Sequence, residues 1–448
     1  MSTQTPTVTN LLASAASVEA VSAARSDPAW VRKARQDAWA IYERTPMPTI
    51  NDELWRRTDI STLKLDRLQA AFGAVPGAAS VDELSPTLKR LLDVGDSEAA
   101  GYVAQVDGSP VCASLRPELQ QQGVIFCSLE TAVREHANIV RDHLMTSAVP
   151  PTYGKFEALH AALWSGGIFL YVPPGVKVEL PFRAAIWQQT ARAGIFPHTL
   201  IIADAGSEVT YIEEYASETQ PDPAMSDHAV ELFLKEGANL TFVTLQNWGR
   251  HMYSLGAQRA MIERDGTLQW VLGTLGSKVT KTHHELFMLG PGGNGNIHGF
   301  YFADANQHLD HHTQQEHFAG HTTSDLLIKG VLKDKARTVY QGLIHVHKEA
   351  QRSDAYQANR NLILSPKARA DSIPGLEIEA NDVRCTHGAT VGQVDDEQMF
   401  YLRSRGLSEH HAQRLIVEGF FEPLMDRIPL ESARQKMREA VQEKLGAF

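Results

Sequence analysis

Between about residues 161 and 380 the chain is a succession of short β-rich segments with almost no helical periodicity. Three turns share a small residue followed by alternating polar and apolar ones, and their glycines, Gly206, Gly237 and Gly266, lie roughly 30 residues apart. This repeat predicts the coils of a β-helix or a large β-sandwich, with turn glycines at positive φ. A doubly wound sheet is disfavoured because no crossover helices separate the segments.

The region before the β-rich segment is predicted to be helical. Residues 27–46 carry one apolar stripe at three- and four-residue steps, formed by Trp30, Ala34, Ala38 and Ile41. Residues 128–144 are a second amphipathic helix candidate, and short helices and loops are expected in the rest of 50–150.

The C-terminal end is also predicted to be helical. Asp395 is placed to cap one helix and Gly406 to end it. Ser408 opens a second helix, whose predicted apolar face is formed by Ala412, Leu415, Ile416, Gly419 and Phe420. Pro429 separates a last amphipathic helix. The predicted domains are an N-terminal helical region at 1–154, a β core at 155–392 and a C-terminal helical domain at 393–448.

Composition excludes several classes of protein. The net charge is −11 and there is no basic run, so nucleic acid is not an expected partner. No stretch approaches the ~20 apolar residues of a membrane span, and the N-terminus lacks the features of a signal peptide. Three scattered cysteines, Cys112, Cys127 and Cys385, do not make a disulfide framework. We therefore expect a cytoplasmic protein.

Possible metal ligands are densest between residues 283 and 347. The histidines there are His283, His284, His298, His308, His311, His312, His317, His321, His345 and His347. His345 and His347 are alternate positions of one strand and point to the same side, and histidine is a good ligand for zinc or iron. The favoured interpretation is that these histidines pack and hydrogen-bond in a polar-faced β structure, and a dedicated metal site is the alternative.

Motifs of common enzymes are missing or out of context. Residues 290–295 match G-x-G-x-x-G, but a strand-like segment follows where a dinucleotide site needs a helix, so a turn is predicted. There is no G-x-S-x-G elbow and no G-x-x-x-x-G-K-[ST] phosphate loop. We therefore expect no intrinsic ATP hydrolysis.

Cys385 and His387 offer a thiol and an imidazole on one side of an extended segment. Both groups are ligands for iron and iron–sulfur species. A buried cysteine beside a turn histidine is the alternative, and from the chemistry alone it is favoured.

Residues 374–406, PGLEIEANDVRCTHGATVGQVDDEQMFYLRSRG, closely resemble the C-terminal signature of the SufB/SufD family of iron–sulfur cluster assembly scaffold proteins. Residues 355–374 resemble the coil that precedes it in the family, and 171–182 resemble the first β-helix rung. The resemblance covers most of residues 155–430, and the CTHGATVG stretch is highly specific. It implies a right-handed parallel β-helix between helical domains.

The resemblance also implies a function. Family members are cytoplasmic scaffold subunits rather than enzymes. They pair with a SufB-type paralogue and bind a SufC-type ABC ATPase through the C-terminal helices, with sulfur arriving from a cysteine desulfurase and its carrier. The implied cofactor is a transient iron–sulfur cluster shared with the partner subunit, and flavin binding is left open.

The subfamily is predicted from two places in the chain. SufB-type chains carry a cysteine just before the LEIEA-like strand, where this chain has Ala370. Residues 48–58 follow a P-x-x-x-x-E-x-W-R-x-T pattern similar to SufD-type chains. A SufD-type subunit is therefore predicted, with a SufB-like homodimeric scaffold as the alternative and a β-helix carbohydrate-active enzyme as a more distant one.

The resemblance assigns two sets of site residues. His387 corresponds to the histidine that SufD-type chains contribute at the subunit interface and is the candidate metal ligand, with Cys385 second. The ATPase-binding surface is predicted on the C-terminal helices, where aromatic and arginine side chains suit an interface hot spot. Its residues are Phe400, Tyr401, Arg403, Arg405, Phe420 and Phe421.

Overall fold

The computed structural model describes residues 12–72, 75–95, 98–427 and 431–446. The helices are α1 (Ala15–Ala24), α2 (Ala29–Arg44), α3 (Pro86–Leu91), α4 (Pro117–Gln121), α5 (Leu129–Glu135), α6 (Ala137–Val140), α7 (Lys155–Leu163), α8 (Asp396–Ser404), α9 (Glu409–Met425) and α10 (Glu431–Leu445). Helices thus flank a long β region, as predicted.

Short strands begin the β structure and ten-residue strands end it. They are β1 (Gln69–Ala70), β2 (Gly101–Val106), β3 (Ser109–Leu115), β4 (Ile125–Ser128), β5 (Gly167–Val172), β6 (Phe182–Gln188), β7 (Ala193–Ile195), β8 (His198–Ala203), β9 (Glu208–Ser217), β10 (Ala224–Leu234), β11 (Asn239–Asn247), β12 (Met252–Ile262), β13 (Thr267–Thr274), β14 (Val279–Met288), β15 (Asn294–Ala303), β16 (His308–His317), β17 (Thr323–Leu332), β18 (Arg337–Val346), β19 (Asp354–Ile363), β20 (Arg369–Ile378) and β21 (Arg384–Gln393).

From β5 onward the chain winds as a parallel β-solenoid of about eight turns, which confirms the β-helix and excludes the sandwich. Even-numbered strands from β8 to β20 form one sheet, here called sheet A, and odd-numbered strands from β9 to β21 form sheet B. In sheet B, Asn294 pairs with Thr323, Thr323 with Asp354, and Asp354 with Arg384, which are 29, 31 and 30 residues apart. The predicted repeat of roughly 30 residues is therefore one turn of the solenoid.

Alternation along each strand divides its side chains between the solenoid interior and the outer surface. On β16, Leu309 is fully buried in the interior core, and His311 stacks on the interior Tyr301 with ring centroids 5.2 Å apart. The outward residues of sheet A are largely covered by the N-terminal region through a second core that includes Phe156, Trp164 and Phe169.

Turn conformations confirm part of the glycine prediction. Gly206 and Gly237 have φ of 67° and 66°. At the third turn the positive φ, 53°, belongs to Asp265 instead of Gly266, because aspartate also tolerates the left-handed region. The glycine-rich segment at 290–293 is a turn between β14 and β15, as predicted.

The predicted face of α2 is right at Ala38, which is buried, and wrong at Ala34. Ala34 is exposed, and the buried residues are Val31, Arg35 and Ala38. Arg35 is completely buried because its Nε donates to Asp27 at 2.7 Å and its Nη1 donates to the carbonyl of Trp164 at 2.8 Å. These partners satisfy a charge that would otherwise exclude the residue from the interior.

Residues 50–150 contain strands as well as the predicted short helices. β2 and β3 form a hairpin, and β2 extends sheet B by pairing with β6. The predicted helix at 128–144 is two short helices, α5 and α6, that meet at His136.

At the C-terminus, Asp395 caps α8 by accepting from the backbone N–H groups of Glu397 and Gln398, and Gly406 has φ of 92°. Ser408 caps α9. The predicted face of α9 is displaced: Leu415 is 48 % exposed, and the buried residues are Ala412, Val417, Phe421, Leu424 and Met425. The residue predicted to separate the last helix, Pro429, lies outside the described residues.

Candidate functional site

The last turn of the solenoid, β20 and β21, is uncovered. All of the residues in these two strands are half-buried or exposed. One turn earlier the interior residues are buried, for example Ile344 at 0 % and Ala355 at 1 % exposure. Both strands are also the last in their sheets. The solenoid therefore ends with its interior face open, and each last strand leaves one backbone edge without a strand partner among the described residues.

Apolar side chains are exposed on this open end. Leu376 and Ile378 on β20 are 37 % and 43 % exposed, and Val391 on β21 is 50 % exposed. Their alternation continues that of the interior strands, since Leu376 pairs with Ile344 and Val391 with Asn361. Apolar side chains beside unpaired strand edges are suited to pairing with another chain.

Cys385 and His387 lie together on the interior side of β21. Cys385 pairs with Ala355 and His387 with Gln357, both of which are buried. His387 is exposed, and within the described part of the chain its imidazole has no hydrogen-bond or ion-pair partner. The structure thus brings the two predicted site residues to the open end.

The electrostatics of Cys385 favour a protonated thiol in the isolated chain. Its side chain is half-buried against a small cluster that includes Ile344 and Val346. Burial, and then the charge of Asp354, raises the pKa of the Cys385 thiol. Binding of a soft metal there would have to displace the proton. Two donors also fall short of the four that iron–sulfur clusters and tetrahedral metals take, so the pair is an incomplete site.

The C-terminal helices present the predicted aromatic and arginine residues unevenly. Phe400 and Tyr401 on α8 are 75 % and 56 % exposed. The Arg405 guanidinium lies 5.1 Å from the centroid of the Tyr401 ring. Arg403 makes an exposed ion pair with Glu409 at 3.7 Å.

The two phenylalanines of α9 contact the solenoid instead of facing outward. Phe421 is 2 % exposed and packs edge-on against Phe300 of β15 with centroids 5.6 Å apart. Phe420 is half-buried, and its carbonyl accepts from Lys329 Nζ at 2.6 Å. The prediction of Phe421 as a binding-surface residue is therefore wrong, because its ring joins α9 to the solenoid core.

Most histidines of the 283–347 segment are packed and hydrogen-bonded, as the favoured interpretation expects. His311 Nε2 lies 3.0 Å from Thr274 Oγ1, and His317 contacts Thr322 and Ser324 inside the solenoid. Burial lowers the pKa of His311 and of His317 to about 4 in each case, so both are neutral at pH 7. His345 and His347 differ, since they lie partly exposed on the outer face beside Glu316.

Sequence reasoning missed the exposed apolar residues Leu376, Ile378 and Val391. Their alternating pattern is the same as that of buried strands, so it predicts an interior face and does not mark where the solenoid stops.

No helix in the described residues is both long and apolar enough to span a membrane.

Comparison with known proteins identifies the class and then the family. The sequence of residues 186–420 matches the family described as "SUF system FeS cluster assembly, SufBD core domain", and residues 16–184 match the "SufBD protein N-terminal region". The chain belongs to the SufB/SufD family of iron–sulfur cluster assembly proteins. This confirms the family resemblance.

The similar relatives cover most of the length of the chain. The "Iron-sulfur cluster assembly protein SufB" of Bacillus subtilis (strain 168) is 32 % identical over 430 residues, which are 94 % of this chain and 90 % of the relative. An "Iron-sulfur cluster assembly SufBD family protein" of Staphylococcus epidermidis has the same identity and coverage. These names support the family and do not confirm the predicted SufD type.

Proposed function

We propose that this chain is a SufD-type scaffold subunit that pairs through its open solenoid end with a SufB-type chain and holds a transient iron–sulfur cluster between them. The observation that carries the proposal is the uncovered last turn, which combines unpaired strand edges with an incomplete pair of ligands. A second chain bearing cysteine would both pair the edges and complete the ligand set.

Pairing is tested by placing a charge on the open end. Val391→Glu puts a carboxylate among the apolar residues that a partner would cover, and burying it unpaired is strongly unfavourable. Thr390→Glu is the matched control, because its neighbouring position points to the other side of β21. We expect Val391→Glu, and not Thr390→Glu, to abolish co-purification with the SufB-type paralogue. Normal co-purification of Val391→Glu would refute the assignment of this interface.

The role of His387 is tested separately from pairing. His387→Ala removes an exposed, unpartnered imidazole, so folding and partner binding are expected to stay intact while cluster assembly in cells is impaired. His321→Ala is the control, since His321 is also exposed. Cys385→Ala is also expected to impair cluster assembly, by as much as His387→Ala or less. Wild-type maturation of cluster proteins by the His387 variant would mean that the site is elsewhere.

We expect substitutions of the histidines at 308–321 to have little direct effect on cluster assembly, but His311 and His317 are buried. Their replacement is expected to lower stability, which makes them unsuitable as controls.

For the ATPase subunit, we propose that binding uses the exposed surface of α8, and that ATP hydrolysis resides in that SufC-type partner. The sequence alone, with its separate C-terminal helical domain, predicts that the β core stays folded when residues 395–448 are deleted. The structure argues against this, because α9 packs on β15 and β17 and Lys436 of α10 pairs with Asp93 and Glu214 at 2.7 Å. The combined Phe400→Ala and Tyr401→Ala change is a cleaner test, and retained ATPase binding in a pull-down would contradict it.

A SufB-like homodimeric scaffold is the second candidate, and the SufB name of a full-length relative favours it. Against it, β20 carries Ala370 where SufB-type chains are expected to have cysteine. The mass and composition of the complex purified from the native cell separate the two. Two copies of this chain without a paralogue would support the homodimer.

A further inference from the structure

The outer face of sheet A carries two imidazoles and a carboxylate that converge near the end of the solenoid. Glu316 of β16 pairs in register with His345 of β18, and His347 follows two residues later on the same side. His347 Nε2 lies 2.7 Å from Glu316 Oε2, and His345 Nδ1 lies 3.0 Å from the same oxygen. One ligand atom from each of the three residues lies within 4.8 Å of the others.

This donor set suits a transition metal. Bonds of about 2.0–2.2 Å from a metal to imidazole nitrogen and carboxylate oxygen place neighbouring donors roughly 3–3.5 Å apart. The observed separations require only a small opening of the cluster. Two histidines and one carboxylate are a ligand set of Zn²⁺ and non-haem Fe²⁺ sites, in which further positions stay open to water or another ligand.

The surrounding side chains hold the donors in place. Gln314 Nε2 donates to Glu316 Oε1 and leaves Oε2 directed at the histidines. The His347 ring stacks on Phe318 with centroids 4.3 Å apart. His345 Nε2, on the far side of the ring from Glu316, is buried without a hydrogen bond and lies 3.7 Å from Glu379 Oε1. A carboxylate behind a ligating histidine is the common second partner in metal sites.

The cluster has two nitrogen donors on one carboxylate and no basic side chain beside it. The His345 and His347 ring centroids are 4.0 Å apart, and a nitrogen of each ring lies within 3.0 Å of the same Glu316 oxygen. In the described part of the chain no lysine or arginine forms an ion pair with Glu316 or Glu379. A divalent cation shared by the three donors would balance the carboxylate charge and use both ring nitrogens.

We propose that Glu316, His345 and His347 bind one divalent first-row transition-metal ion, with Glu379 as a positioning residue behind His345. The side chains of His345 and His347 are 16 % and 29 % exposed, which leaves a path for the ion from solvent. The site and Cys385 lie on opposite faces of sheet A. His345 and His347 point outward, whereas their neighbours Ile344 and Val346 point inward and belong to the cluster on which Cys385 packs. The proposal is independent of the partner pairing at the open end.

The test uses the full-length chain after removal of metal by a chelator, and anaerobic titration with Co²⁺ followed by its visible absorption. Wild type is expected to bind one Co²⁺ with the absorption of a low-coordinate nitrogen- and oxygen-ligated ion, and Zn²⁺ is expected to displace it. Glu316→Gln and His347→Ala are each expected to weaken binding at least tenfold. Glu379→Gln is expected to weaken it less than either of these, by about tenfold, which is the lower end of the effect of outer partners.

Two controls separate this site from others in the chain. His387→Ala is expected to keep the Co²⁺ spectrum, and so is His410→Ala, which removes a histidine of α9. Unchanged thermal unfolding of the metal-free variants shows that the cluster variants are folded. Wild-type affinity in both Glu316→Gln and His347→Ala, or the absence of a bound ion in wild type, would overturn the proposal. Loss of binding in His387→Ala would overturn it too, and assign the ion to the open end.

Discussion

Replacing Lys281 with methionine tests how the N-terminal region is joined to the solenoid. Lys281 Nζ donates to Asp310 Oδ2 at 3.0 Å, and both side chains are 1 % exposed. Thr58, from the segment before β1, also donates to Asp310. Lys281→Met therefore removes the lysine charge from a buried carboxylate, which keeps its contacts with Thr58 and with His312 Nε2 at 3.0 Å. Breaking such a buried pair costs up to about 3–5 kcal/mol.

A second substitution isolates the pair from the general effect of mutation. Lys281→Met with Asp310→Asn removes both charges while the amide oxygen still accepts from Thr58. We expect the double variant to lose about 1–2 kcal/mol, less than Lys281→Met alone, because no charge is left buried. Lys33→Met is the matched control: its ion pair with Asp37 is 71 % and 60 % exposed, and we expect a loss below about 0.5 kcal/mol.

The assay is urea unfolding at pH 7.5, with the midpoint and slope compared among the four proteins. A loss under about 1 kcal/mol for Lys281→Met, or a double variant less stable than the single one, would refute the reasoning. Acid adds an independent measurement. Burial alone would raise the pKa of Asp310, but the contacts of His312 and the charge of Lys281 outweigh it and hold the pKa well below its usual range.

An acid with a lowered folded-state pKa stabilises the protein fully above its unfolded pKa of about 3.9, and the contribution is lost as the pH falls below that value. Wild type is therefore expected to lose more stability between pH 5 and pH 3 than the double variant does.

Two further predictions concern the covering elements. Burial, and to a smaller extent the charge of Glu285, raises the pKa of Glu157 to about 7. The wild-type protein therefore loses stability as the pH rises from about 4.5 to about 7. Glu157→Gln should remove this loss, so thermal unfolding should show a gain of at most about 3 kcal/mol at pH 8 and no gain at pH 4. Phe421→Ala should lower the free energy of unfolding by about 3–5 kcal/mol because it opens a cavity beside Phe300. Phe400→Ala, at an exposed ring, should change it by less than about 0.5 kcal/mol. Equal effects of the two variants in denaturant unfolding would contradict this prediction.

The solenoid was predictable because its signals are local. Each turn contributes alternating strands and a turn residue with positive φ, and both patterns repeat along the sequence. The hairpin of β2 and β3 was missed, although the sequence carries a signal for it: Asp107 and Gly108 have φ of 49° and 73°, and an Asp-Gly pair is typical of such a turn. It is hidden in a region whose composition otherwise suggests helices and loops.

The helix faces were predicted less well because distant residues decide them. Hydrophobicity alone cannot place Arg35 in the interior, since its burial depends on the carbonyl groups of Ala162 and Trp164, more than 120 residues away. On α9, Phe420 and Phe421 are equally apolar, and the position of Phe300 determines which of them is buried. Local periodicity therefore predicts that these helices exist. It does not determine which neighbouring residue faces the core, that is, how each helix is rotated about its axis.

The candidate site was predicted in one respect and missed in another. Cys385 and His387 were found in sequence through a specific family motif, and alternation correctly places them on one side of β21. What the sequence could not reveal is that this side is open, because strands that end a solenoid carry the same pattern as strands inside it. The functional meaning of the pair depends on that difference: under a further turn, a cysteine and a histidine would be ordinary interior residues.

The open end also bears on the proposed pairing with a second chain. Two adjacent ten-residue strands with a free edge and exposed Leu376, Ile378 and Val391 form the kind of edge that proteins otherwise shield with charges, bulges or a covering element. Cys385 and His387 lie on the same pair of strands as these apolar residues. A partner that covers the edge would thus remove water from Cys385 and His387 and bring its own donors at the same time. Separation of the two chains would undo both effects, which is the behaviour required of a scaffold that assembles a cluster and then releases it.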